Sequence, residues 1–202
     1  MTRRQLTIGA VALAALAIVT ACSSSGNQTA TSTGSATSAS SSAPAAQAHN
    51  QADVTFAQNM IPHHQQAIQM SDTILGKQNI DPRVMQLATQ IKAAQGPEIQ
   101  QMQTWLNQWG QPTMSMTPGM GGTHGTPGMM PEQDMSALQS AQGVDAGKLF
   151  LTQMIQHHQG AIAMAQDEIK SGQYPPAIEM AHSIATSQQQ EIATMQAILA
   201  SL

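Results

Sequence analysis

The chain has 202 residues, enough for one ordinary domain with appendages, and only 9 % of them are charged, for a formal net charge of −4. Seven Lys and Arg residues, two of them Arg3 and Arg4 near the start, form no basic stripe, which excludes nucleic acid as a partner. A single cysteine, Cys22, excludes a disulfide framework.

In chain order, the first element is an export signal. Arg3 and Arg4 precede the apolar run from Leu6 to Val19, which is too short and wrongly flanked for a spanning helix, and Val19-Thr20-Ala21-Cys22 then reads as a lipobox. Residues 1–21 are therefore expected to be a lipoprotein signal peptide, removed before Cys22. Acylation of the Cys22 thiol would anchor the chain to the membrane through lipid, on the extracytoplasmic face. That would leave the mature domain without a thiolate, so a metal would have to be held by His, Met or carboxylate. Thr2-Arg3-Arg4 also fits a twin-arginine export signal. Residues 22–50 hold that cysteine and a Ser, Thr, Ala and Gly tether with nothing to bury.

From residue 51 to 202 the apolar residues recur at helical spacing and no stretch sustains a period of two, so the fold class is all-α. One helix is predicted over about Asp53 to Leu75, with Gly76 as its stop. Another opens at Asp81-Pro82, an N-cap followed by Pro in the first turn, and closes at Trp109-Gly110. A third covers about Asp145 to Lys170, and a fourth runs from Pro175-Pro176 to the C-terminus. Short connections at Lys77 to Ile80 and Ser171 to Tyr174 make two antiparallel hairpins, joined by a Met, Gly and Pro-rich loop at about 111–144. Pro62 and Gly96-Pro97 predict a kink or break in the first two helices.

The hairpins are duplicates. Phe56 to Met70 (FAQNMIPHHQQAIQM) returns 94 residues later as Phe150 to Met164 (FLTQMIQHHQGAIAM). Ala88, Ile91, Gln95, Glu98, Ile99 and Met102 return as Ala181, Ile184, Gln188, Glu191, Ile192 and Met195. Two such hairpins bury their apolar stripes best against each other, as a four-helix bundle.

At helical spacing Met60, His63, His64 and Met70 share one face, as do Met154, His157, His158 and Met164. Glu98 with Met102, and Glu191 with Met195, form narrower stripes on the second helix of each hairpin. A Met stripe is ordinarily core filling, and a lone inward His ordinarily satisfies a backbone group. Adjacent His pairs repeated with flanking Met need a hydrogen-bond partner or a metal for every imidazole. Thioether and imidazole without thiolate suit copper, most of all Cu(I); zinc would more often recruit Cys or carboxylate.

The inter-hairpin loop carries Met114, Met116, Met120, His124, Met129 and Met130, which read as a second copper-binding segment because such a loop has no core to fill. On that reading its deletion leaves bundle stability nearly unchanged. A protein partner that donates or accepts copper would follow.

Other classes remain open. The His pairs could be structural in a non-metal interaction module of the cell envelope. A di-iron redox bundle needs Glu-x-x-His on two helices; Glu179 and His182 supply it once, whereas Gln86 and Thr89 stand at the equivalent places, and His182 falls on the surface side. No Ser-His-Asp order, phosphate loop or catalytic carboxylate pair can be assembled, so the expectation is a binding protein and not an enzyme.

The doubled F-x-x-x-M-I-x-H-H-Q-x-A-I-x-M motif, with I-x-x-x-Q-x-x-E-I-x-x-M behind each copy, resembles the bacterial domain-of-unknown-function family number three hundred and five, which includes secreted copper-binding members. The resemblance covers about Ala52 to Leu202 and implies a ferritin-like four-helix fold with copper bound through Met and His outside the cytoplasm. Residue by residue it reaches Met60, His63, His64, Met70, Met154, His157, His158 and Met164, and beyond them Met102 and Met195. The second copy lacks Pro62 and the Trp105-Leu106-x-x-Trp109-Gly110 ending, so the two half-sites need not be symmetric.

Overall fold

The structure is a computed structural model and describes residues 48–113 and 126–202. The expected signal peptide, Cys22, the expected tether as far as residue 47, and Met114, Met116, Met120 and His124 lie outside the described residues.

Helix α1 (Gln51–Leu75) begins at a capping box: the Asn50 side chain accepts the Ala52 and Asp53 amides, and the Asp53 carboxylate accepts the Asn50 amide at 2.6 Å. Helix α2 (Pro82–Gln108) begins at Asp81, whose carboxylate accepts the Arg83 amide, with Pro82 in the first turn. Between them Asn79 takes the left-handed conformation (φ 59°) that reverses the chain. Helix α3 (Glu132–Ser140) is short. Helices α4 (Gly143–Ser171) and α5 (Pro175–Leu199) form the second hairpin.

Each hairpin packs most extensively within itself, and the two meet chiefly through α1 against α4. These inner helices run antiparallel: the start of α1 touches the end of α4, where the Asn50 side chain donates to the Ser171 carbonyl at 2.8 Å. The all-α reading and the two hairpins hold. Among the described residues no helix is long and apolar enough to cross a membrane.

Two expectations are corrected. Of the kink or break expected at Pro62 and at Gly96-Pro97, the break occurs at neither; α1 and α2 run through them. An interior proline costs about 3 kcal/mol. Apolar positions on both sides of it are buried, Met60 and Ile61 before Pro62 and Ala67 and Met70 after it, and this tertiary packing holds the helix together. Pro97 is exposed, on the side where carbonyls tilt toward water.

The second correction concerns the inter-hairpin loop, whose end is not a free Met-rich segment. It contains α3, and Met130 and Leu138 are buried in the core with Met135 packed against it. Met130 fills core space, and α3 lies across α1 and α4.

The core falls into two apolar clusters. One joins Ala67, Met70 and Ile74 of α1 to Phe150, Leu151 and Met154 of α4, with Met195 of α5 and Met130. The other joins Phe56, Met60 and Ile61 to Ala161, Met164 and Ala165, with Met102 of α2. The 94-residue repeat exchanges the clusters: Phe56 and Met60 lie in one, their counterparts Phe150 and Met154 in the other. The four histidines of the repeated pairs lie between these clusters in sequence and are fully buried.

Candidate metal centre

His63 and His64 sit mid-way along α1, and His157 and His158 mid-way along α4, at the level where the antiparallel inner helices cross. The rings of His63 and His157 meet across that crossing with centroids 3.7 Å apart. His64 and His158 turn instead toward the outer helices. Nε2 of His64 lies 2.7 Å from Oε2 of Glu98 on α2, and Nε2 of His158 lies 2.6 Å from Oε2 of Glu191 on α5. Each imidazole is fully buried and each carboxylate side chain 21 % exposed, so the two halves reproduce one geometry.

These partners fix the tautomers. A carboxylate or carbonyl oxygen only accepts, so His64 and His158 donate from Nε2 to their glutamates, and His63 donates from Nε2 to the Pro127 carbonyl at 3.1 Å. In the neutral imidazole the remaining nitrogen, Nδ1, is then the one that carries the lone pair. Each Nδ1 is buried with no hydrogen-bond partner, and so are both ring nitrogens of His157. Buried polar atoms in native proteins are nearly always paired, so five such nitrogens in one layer are an unusual cost.

Burial in apolar surroundings, with His64 and His158 nearby, holds His63 well below the ordinary imidazole pKa. Burial, then the neighbouring histidines, does the same to His157. Both rings are therefore neutral near pH 7, the form that coordinates a metal.

The thioethers lie on both sides of this layer. Met60, Met70, Met102, Met154 and Met195 are fully buried and Met164 is 8 % exposed. Met60, Met102 and Met164 belong to one cluster and Met70, Met154 and Met195 to the other. Met129 is partly exposed. Among the described residues no three His, Cys, Asp or Glu side chains converge as a preformed metal site. The imidazoles thus form a line of pairs, and a metal held here would draw on the flanking sulfurs. Bare imidazole nitrogens next to buried thioethers fit a soft, low-coordinate ion. His182 is exposed, as expected.

Sequence reading did not anticipate one buried acidic pair. Asp53 is fully buried at the start of α1, and its carboxylate accepts amides from Asn50, Gln173 and Tyr174, tying that end to the α4–α5 turn. Burial opposes ionisation of Asp53, but these donors, with Glu168, bring its pKa below the usual carboxylate value. Glu168, 2 % exposed, folds over Gly172, where an added Cβ would collide with its carboxyl group. Burial first, then the neighbouring Asp53, pushes Glu168 up to about 8. The signal available in the sequence was an acid at an apolar-stripe position of α4.

The family model for a domain of unknown function, DUF305, matches residues 53–199. Among solved structures, a DUF305 protein of Streptomyces coelicolor, described as secreted, shares 32 % identity over 74 % of this chain and 91 % of its own, with a TM-score of 0.67. A DUF305 fragment from Deinococcus radiodurans shares 31 % over 76 % of this chain and 98 % of its own, with a TM-score of 0.68. CopM in its Cu(I)-bound form shares 33 % over 74 % of this chain and 96 % of its own, with a TM-score of 0.61, and CopM structures with Cu(II) and with silver are similar as well. No curated protein matches the chain. With the family model matching most of the chain and the helical bundle of its relatives recurring here, this protein belongs to the DUF305 family.

Proposed function

We propose that this protein binds copper, chiefly as Cu(I), in the histidine layer between its hairpins, and that it sequesters or relays the ion without catalysing a reaction. The observation that carries the reading is the set of five buried imidazole nitrogens without a protein partner, bordered by buried methionines. Nδ1 of His63, His64 and His158, with either nitrogen of His157, would supply the nitrogen donors, and the thioethers Met60, Met70, Met102, Met154, Met164 and Met195 the sulfur. Glu98 and Glu191 would act from behind: a carboxylate on the far nitrogen orients a ligating imidazole and raises its basicity. The CopM forms with Cu(I), Cu(II) and silver support the same class of ion.

The lipobox at Cys22 and the secreted relative support a place outside the cytoplasm, with a lipid anchor to the membrane and exchange of copper with a donor or acceptor protein. Metal analysis of untagged protein purified from cells grown with added copper tests the reading. Copper retained through gel filtration supports it; protein that retains only iron or zinc refutes it.

A further inference from the structure

Three of the four histidines have an oxygen behind them, and in only two is it a glutamate. We propose that the segment from Thr126 to Met130 is a positioning strap whose Pro127 carbonyl does for His63 what Glu98 and Glu191 do for His64 and His158, and that Gln66 and Gly160 together seat it. The inference rests on the copper reading for its consequence, though not for its geometry.

Within the repeated H-H-Q-x-A-I segment the two copies differ at one position, Gln66 in the first and Gly160 in the second. Both residues touch the strap. Buried Gln66 holds Met130 from both sides: its amide donates to the Met130 carbonyl at 2.8 Å and its oxygen accepts the Met130 amide at 2.7 Å. Gly160 does the converse by having no side chain. A Cβ there would collide with the Pro127 carbonyl, so the strap backbone lies directly on α4. Gly128 completes the fit at φ 79°, and a Cβ on it would come within 2.8 Å of the Gly160 Cα and the His157 carbonyl. Met130 then plugs into the apolar cluster that holds Met70 and Met154. The close approach of the strap to α4 at Gly128 and Gly160, and the anchoring of Met130 by Gln66 and the apolar cluster, thus hold one carbonyl against one imidazole.

The duplication explains why a strap is needed. His64 and His158 turn toward the outer helices and reach the repeated glutamates, whereas His63 and His157 face each other and have no acid in the repeat. The strap gives His63 an acceptor, which keeps Nε2 protonated and leaves Nδ1 as the lone pair. His157 is left with neither nitrogen committed. A partner of this kind ordinarily contributes tenfold to a hundredfold to metal affinity when it acts on a ligating histidine.

Gly160→Ala tests the proposal, because alanine is favoured in a helix interior and the three nearest atoms its Cβ would meet all belong to the strap. Gly128→Ala is the second variant; it changes the strap and leaves the sequence of both inner helices intact, its Cβ pushing the strap off the α4 backbone. Three quantities are measured: ¹⁵N shifts of the His63 ring in metal-free protein, hydrogen exchange at the Met130 amide, and Cu(I) affinity by chelator competition. The expected result is faster exchange at Met130, a His63 ring that shifts from the Nε2–H tautomer to a mixture, and Cu(I) affinity reduced about tenfold, or about 1.4 kcal/mol.

Faster exchange with the His63 tautomer and Cu(I) affinity both unchanged overturns the positioning role. A rise in affinity overturns it too, and makes the strap a competitor of the metal. If wild-type protein binds no Cu(I), the copper reading fails while the tautomer shift in metal-free protein still decides whether the strap sets His63.

Discussion

Replacing Glu168 by Gln should flatten the dependence of stability on pH. Glu168 is buried beside the Asp53 carboxylate, and its pKa is pushed from 4.5 to about 8. In the unfolded chain it titrates near 4.5. Below that value both states are protonated and the group is neutral in the balance. As pH rises from 4.5 toward 8 the unfolded chain ionises while the folded one keeps its proton, so folding becomes less favourable. At 1.36 kcal/mol per unit, the wild type loses about 3 kcal/mol between pH 5 and pH 8 through this group alone.

His63 and His157, held below the ordinary imidazole value, act in the opposite sense: their contribution is present above about pH 6.5 and fades as pH falls below it. Subtracting the variant from the wild type removes that background. Urea unfolding of metal-free protein at pH 5, 6.5 and 8, followed by helical circular dichroism, should show Glu168→Gln gaining about 3 kcal/mol relative to wild type from the lowest pH to the highest. A difference constant across that range would show that the carboxyl is ionised in the folded state and refute the burial argument.

Three further outcomes follow from the site. Met60→Leu with Met154→Leu removes two buried thioethers at nearly constant volume, so stability should fall by under about 1.5 kcal/mol per site while Cu(I) weakens far more than Zn(II); equal weakening of both ions would mean that sulfur is not a donor. Glu98→Gln with Glu191→Gln should lower Cu(I) affinity about tenfold or more by loosening His64 and His158, measured by competition with a chelator; a complete loss of iron loading with copper binding unchanged would favour carboxylate chemistry instead. Deletion of residues 114–125 should leave the urea midpoint nearly unchanged, whereas extending it through Met130 should cost about 2–5 kcal/mol, because Met130 is a core side chain; equal midpoints would contradict its packing.

Much of the fold could be read from the repeat. The period of apolar residues defined four long helices, and the doubled hairpin defined their pairing, because each copy leaves one stripe that only the other copy can cover. The inward faces of His63, His64, His157 and His158 and the stripe positions of Glu98 and Glu191 followed from helical spacing, and the structure brings them together. Helix α3 was hidden by composition: nine residues after a Gly and Pro-rich run are too few to show a period, and Met130 and Leu138 are apolar without revealing what they meet. A break at either proline was a local inference, overridden at Pro62 by burial on both sides and at Pro97 by its place on the solvent side of α2. Asp53 and Glu168 stand far apart in sequence, on different hairpins, and no periodicity relates them. The difference between Gln66 and Gly160 was visible, but its meaning required the strap that both residues touch.

The central claim is that the unpartnered imidazoles of the inner helices hold the ion. Its most direct test is anaerobic Cu(I) titration of the wild type and of His63→Ala with His157→Ala, read against a competing chelator, with helical content recorded on the same samples. The account predicts that the double variant keeps its helices and loses at least tenfold in affinity, as removal of two ligating imidazoles must cost no less than removal of their outer partners. Unchanged affinity in a folded double variant would contradict the account.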